Sequence, residues 1–295
     1  MDYKEKLKEF KPTKDFFIGV DSDGCAFPTM ELKHKECFIP NIIKYWNLQS
    51  ISTYAREVAE WVNLYSIYRG VNRFIALVKT IELLGSRKEV VEAGFKLPDI
   101  QPLKEFIDSG LPLSNDGLKE YMKSNTDSVL ERALEWSEQV NKTVADMVHG
   151  VAPFTFAVKS LEKMSEKADV LVVSATPLEA LEKEWAEHNI EQYVKIIAGQ
   201  EMGSKKEHLQ MAAESKYPEG KILMIGDAPG DHKSAQAVNA LFYPINPGAE
   251  NKSWERFFNE ALDKFLNGEY DGEYQNKVIS EFYKLLPETP YWEVV

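Results

Sequence analysis

From residue 153 onward, short apolar runs alternate with stretches whose apolar residues recur every three or four positions. Residues 169–173, 195–198, 221–225 and 240–244 read as buried strands, being short, continuous and rich in branched side chains. Residues 154–167, 176–189, 204–215 and 231–238 read as the helices between them. One more strand, Phe16-Phe17-Ile18-Gly19-Val20, stands far ahead of this series. The alternation predicts an α/β fold with a doubly wound parallel sheet, in which ligands bind beyond the carboxyl ends of the strands. Residues 28–150 break the pattern. Helical periodicity dominates there, over 54–84 and 126–147, with Gly85-Ser86, Gly94, Pro98, Pro102 and Pro112 as punctuation. So large a helical block directly after a strand end reads as an inserted domain. The expected division is 1–27 plus 151–295 for the sheet domain and 28–150 for the mainly α-helical insert. The tail is expected to pack on the sheet domain, with an amphipathic helix near 254–266.

Composition narrows the function. The chain has 295 residues, 44% hydrophobic and 28% charged, with a net charge of −12. That balance argues against a nucleic-acid or membrane-surface partner, both of which favour a basic face. The two cysteines, Cys25 and Cys37, have no metal-site spacing and read as reduced thiols. The polar start of the chain has no apolar signal core, and no run reaches membrane-spanning length. The expectation is a cytoplasmic protein, monomer or homodimer.

The strand ends carry the unusual residues. The first strand runs into Asp21-Ser22-Asp23-Gly24. Two carboxylates this close repel each other, and burial penalises both. The strand over 221–225 ends in Gly226-Asp227-Ala228-Pro229-Gly230-Asp231, a second acidic pair. Each alone is a common turn. Together, four aspartates at one sheet edge call for a divalent cation, and hard oxygen ligands favour Mg²⁺. The strand over 169–173 ends in Ser174-Ala175-Thr176-Pro177, where Thr176 reads as a helix cap, Pro177 as the first helical residue and Glu179 as the acid that follows. Ser174 between strand end and helix start suits a phosphate. Lys205-Lys206 open a helix against its dipole, so another group is expected to hold one of them.

In this order the residues resemble the four motifs of the haloacid dehalogenase superfamily of phosphohydrolases. Asp21-Ser22-Asp23 matches the first, Ser174 the second, Lys205 or Lys206 the third, and Gly226-Asp227 with Asp231 the fourth. The insert falls where that family places a cap between its first and second motifs. The resemblance implies a Rossmann-like core, a phosphatase and an aspartyl-phosphate intermediate. It makes Asp21 the nucleophile, Asp23 the general acid and base, and Lys205 the charge-balancing lysine, with Lys206 the alternative. Mg²⁺ would be held by Asp21, Asp23 through its backbone carbonyl, Asp227 and Asp231. Phosphate would meet Ser174 and the backbone around it, including Ala175 and Gly24. Asp23 favours phosphate-ester hydrolysis over dehalogenation, since it can protonate an alkoxide. The expected partner is a small phosphorylated metabolite. Arg69 and Arg73 of the insert are candidates for a substrate anion. A phosphomutase, or a silent binding or scaffold protein on this fold, are the alternatives. His34, His149, His188, His208 and His232 are scattered and read as surface or core residues.

Overall fold

The computed structural model describes residues 3–293, which form two compact units. One comprises the chain up to Met30 together with Gly150–Pro287; the other comprises Glu31–His149 and the residues from Glu288 onward.

The first unit is built on a five-stranded parallel sheet. Its strands are β1 (Phe16–Val20), β2 (Ala168–Val173), β3 (Ile196–Ala198), β4 (Ile222–Gly226) and β5 (Leu241–Pro244), in the order β3-β2-β1-β4-β5. Successive side chains alternate between faces, so each strand feeds two apolar layers. Ile18, Val20, Val170, Val172, Leu223, Ile225 and Tyr243 enter one layer, with Trp185, Trp254 and Phe257 from helices. Phe17, Leu171, Val173, Ile222, Met224 and Phe242 enter the other, with Leu209 and Phe282. Burial on both faces explains why these strands lack polar alternation.

Register aligns the strand ends. Val20 pairs with Val172 on one side and Ile225 on the other. Asp21 continues the ladder, donating its N–H to the Ile225 carbonyl at 3.0 Å. Strand order reverses between β1 and β4, which is where doubly wound sheets bind ligands. Gly19 in β1 allows a close approach there. A Cβ at this position would lie 3.0 Å from Met224 Sδ and 3.2 Å from Leu209 Cδ2. The missing side chain admits Leu209 against the sheet, and Leu209 belongs to the helix that carries Lys205.

The structure amends two expectations in this unit. The helix after β2 is Leu178–Glu187, with Pro177 rather than Thr176 in the cap position. The Leu178 N–H is met by Glu201 Oε2 at 2.9 Å, so Thr176 is released from capping. The amphipathic segment of the tail is followed by a second helix, Glu273–Lys284, which buries Val278 and Phe282.

The second unit is all helical among its described residues. Helices Ser52–Leu64, Arg73–Ser86, Gln101–Asp108 and Ser128–Met147 enclose a core around Trp46, Phe74, Phe106 and Trp136. The residues between Leu64 and Arg73 leave the helical path, with Gly70 at φ +75°, and Asn72 caps the next helix by accepting from Phe74 N at 3.0 Å. The tail from Glu288 on belongs here and not with the sheet, a correction to the expected boundary of the extension. Its anchor is Trp292. That ring lies 5.7 Å from Trp61, edge to face, and the Arg87 guanidinium sits 4.6 Å over it.

Candidate active site

Asp21 is the first residue beyond β1 and is 4% exposed. Its Oδ1 accepts from Ser22 N at 2.8 Å, and its Oδ2 lies 2.8 Å from Lys205 Nζ. Lys205 Nζ also reaches Asp231 Oδ1 at 2.6 Å. The second oxygen of Asp231 accepts the N–H groups of Asp227 at 3.1 Å and Ala228 at 3.0 Å, which ties the turn after β4 to the helix Pro229–Gln236. Gly226 makes this possible. A Cβ there would come within 2.4 Å of the Asp231 carboxylate, so any other residue would push that group away.

Asp21, Asp227 and Asp231 are all buried, and each offers a carboxylate oxygen within 4.8 Å of the others. Burial pushes the Asp21 carboxyl well above the ordinary range; Lys205 opposes this, while Asp231 and Asp227 add to it. Burial also works against the Lys205 ammonium, but Asp21 and Asp231 reverse the effect and raise its pKa. Three buried carboxylates thus face one ammonium. A divalent cation would bring that set to neutrality, so the residues present suit one.

Asp23 points elsewhere. Its Oδ1 accepts the Thr29 hydroxyl and its Oδ2 accepts the Thr176 hydroxyl at 2.8 Å. Its carboxylate is therefore outside the acidic triad. Between the two aspartates, Ser22 Oγ accepts from Trp185 Nε1 at 3.0 Å and donates to Glu184 Oε2 at 3.2 Å, fixing the loop to the helix after β2.

Ser174 closes β2 and is 2% exposed. Its N–H is spent on the Ala198 carbonyl at 3.0 Å, so its hydroxyl is what it offers; that oxygen accepts from Thr176 N at 3.3 Å. Ala175 lies exposed beside it. Gly24 takes φ +77° and donates its N–H to the Phe27 carbonyl at 2.8 Å, so it turns the loop rather than presenting an amide. Lys205, N1 of its helix, is the site lysine, and Lys206 points to solvent. Ser204 caps that helix with Glu207 in a capping box, which places Lys205 at its first position despite the dipole.

The two arginines lie in the helical unit and are engaged there. Arg69 is 2% exposed and donates to the Leu64 carbonyl at 2.9 Å. Arg73 Nη1 donates to Ser137 O, Ser137 Oγ and Asn141 Oδ1, and burial lowers its pKa to about 10. These bonds anchor both arginines within that unit. Cys25 is buried behind the loop, and burial, with Asp21 second, pushes its thiol well above the ordinary range, so it is no nucleophile.

Sequence reading missed Thr29, Thr176 and Glu184 as partners of the aspartate loop. They meet it across 6, 153 and 162 residues of chain, and no spacing rule marks such pairs. Gly226 was visible as part of Gly-Asp but not as the space that Asp231 fills.

Several solved structures resemble the chain. A haloacid dehalogenase-like family hydrolase from Streptococcus pneumoniae aligns over 90% of this chain and 98% of its own, at 15% identity and TM-score 0.45. A protein provisionally assigned as phosphoglycolate phosphatase from Lactobacillus delbrueckii subsp. bulgaricus aligns over 88% and 100%, at 15% identity and TM-score 0.49. No curated protein matches the sequence. The family rests instead on a sequence model, described as haloacid dehalogenase-like hydrolase, that matches residues 77–243. That stretch holds Ser174, Lys205, Asp227 and Asp231; Asp21 and Asp23 precede it and join the site by the geometry above. More than half of the chain is covered, and the protein belongs to the haloacid dehalogenase-like hydrolases.

Proposed function

We propose that the protein is a Mg²⁺-dependent phosphohydrolase that removes phosphate from a small phosphorylated metabolite through an aspartyl-phosphate on Asp21. The observation that carries this reading is the pairing of Asp21 with Lys205 inside a buried, net-negative triad at the ends of β1 and β4.

Asp21 and Asp227 would hold the ion, with the Asp23 carbonyl. Asp231 would order Lys205 and the Asp227 turn, since both its oxygens already accept hydrogen bonds. Bound Mg²⁺ would screen the phosphate from the carboxylates and stabilise charge on the transferring group. Lys205 orients Asp21 and opposes the burial that raises its pKa, and Ser174 offers its hydroxyl to a phosphate oxygen. The Asp21 oxygen forms a bond to phosphorus while the bond from phosphorus to the ester oxygen breaks, and Asp23 gives that oxygen a proton. Asp23 then takes a proton from water as the water attacks phosphorus, releasing phosphate and restoring the Asp21 carboxylate.

The test is release of inorganic phosphate from 4-nitrophenyl phosphate with Mg²⁺, with EDTA, and with Asp227→Asn. Phosphate and nitrophenol should form in equal amounts, and EDTA or the substitution should abolish both. A rate indifferent to EDTA and to Asp227→Asn would contradict the reading.

A further inference from the structure

Asp23 is held by two hydroxyls that come from different parts of the fold. Thr29 is fully buried and follows the β1 loop; Thr176 is half-buried and follows β2. Each takes one oxygen of the same carboxylate, Thr29 on Oδ1 and Thr176 on Oδ2. A carboxyl on a short side chain otherwise samples several staggered rotamers. Gripping both oxygens fixes its plane and its direction. The grip from Thr176 exists because Glu201 serves the Leu178 N–H and frees that hydroxyl from capping. Ser174 Oγ in turn accepts the Thr176 N–H, so the residue that steadies Asp23 is tied to the hydroxyl assigned to phosphate.

We infer that Thr176, acting with Thr29, is a positioning residue that aims the Asp23 carboxyl at the leaving-group oxygen. The inference rests on the phosphohydrolase reading and adds to it a residue outside the acidic triad. Hydroxyls suit this role because each can donate to the carboxylate or accept from the carboxylic acid as the proton comes and goes. The clamp therefore holds through both half-reactions without being broken.

A misaimed general acid matters only when the leaving oxygen needs a proton. Phenoxide is a poor leaving group and 2,4-dinitrophenoxide a good one, while the two esters share a ring. The experiment compares kcat/KM for phenyl phosphate and 2,4-dinitrophenyl phosphate in the full-length protein with Mg²⁺. Thr176→Val keeps the shape and removes the hydroxyl; Thr176→Ser keeps the hydroxyl. The valine variant should lose about ten- to a hundredfold on phenyl phosphate and less than about threefold on the dinitrophenyl ester. The serine variant should recover most of the loss, and Thr29→Val should show the same selectivity. Equal losses on both esters, or none on either, would overturn the clamp. Asp21→Asn and Asp23→Asn run alongside. If Asp21→Asn keeps its activity, the phosphohydrolase reading falls and the clamp with it. If Asp21→Asn loses both esters and Asp23→Asn loses mainly phenyl phosphate while Thr176→Val is unselective, the clamp alone falls.

Discussion

The two ends of the central sheet each bury an aspartate, and they treat it in opposite ways. At the amino end, Asp169 of β2 is fully buried. It accepts the Thr13 hydroxyl, Thr13 N at 2.7 Å, Lys14 N at 2.9 Å and Tyr217 OH at 2.7 Å. Burial alone would raise its pKa, but the bonds from Thr13, Tyr217 and Lys14 outweigh it and hold the carboxyl below the ordinary range. At the carboxyl end, Asp21 is buried beside Asp227 and Asp231 with one lysine among them, and its pKa is driven up. The first carboxylate is satisfied by neutral donors fixed in place and fastens the segment before β1 to the sheet. The second is left with surplus negative charge around it. The proposed cation would supply the positive charge that the second site needs and the first does not.

Substitutions separate the two. The largest effect should come from Asp21→Asn, which should lower turnover by about 10⁴-fold or more. In EDTA the same variant should melt at a higher temperature than the wild type. The folded-state pKa of Asp21 is raised, so in the metal-free wild type its contribution to stability falls as pH rises above the ordinary value of 3.8; removing the ionisable group removes that penalty. A thermal melt of both proteins at neutral pH measures it, and a lower melting temperature for the variant would erase the contrast between the two ends.

Next comes Gly226→Ala. Its new methyl would collide with the Asp231 carboxylate, which must shift and release Lys205 and the Asp227 turn. A loss of about a hundredfold in kcat/KM is expected, with the fold retained by circular dichroism. Asp169→Asn should do the reverse. It should cost about 2–3 kcal/mol of stability, by chemical denaturation, with the specific activity of the folded protein unchanged. Because the Asp169 pKa is lowered, its stabilisation is present above the ordinary 3.8 and is lost as pH falls below it.

The smallest effect concerns His208, three residues after Lys205 and fully buried. Burial, with Lys205 second, lowers its pKa to about 4 from 6.5. Between those values the unfolded chain binds the extra proton, so stability should fall as pH is lowered through that window. His208→Leu should flatten that part of the stability curve relative to the wild type.

Much of this was legible in the sequence. The runs ending at Val20, Val173 and Ile225 gave strands whose polar residues lie just past the ladder, and parallel register brings such ends together. The acidic pairs were legible because charge after a buried strand is costly without a purpose. What sequence hid was tertiary. Thr176 read as a helix cap because its neighbours fit the cap pattern, but Glu201 took that task. Arg69 and Arg73 read as anion anchors because they interrupt a helical stretch, yet each also donates within the helical unit, Arg69 to the Leu64 carbonyl and Arg73 to Ser137 and Asn141. Trp292 sits in a tail whose pattern says little, and it follows its partners Trp61 and Arg87 into the other unit. Pairings between distant segments decide such cases, and local pattern does not carry them.

The most direct test of the account is to trap the covalent intermediate. The protein is mixed with ³²P-labelled phenyl phosphate and Mg²⁺, quenched in acid within one turnover, and the labelled peptide is sequenced by mass spectrometry. The account predicts acid-stable, alkali-labile phosphate on Asp21, and none in Asp21→Asn. Turnover with label on another residue, or with no covalent label at any quench time, would contradict it.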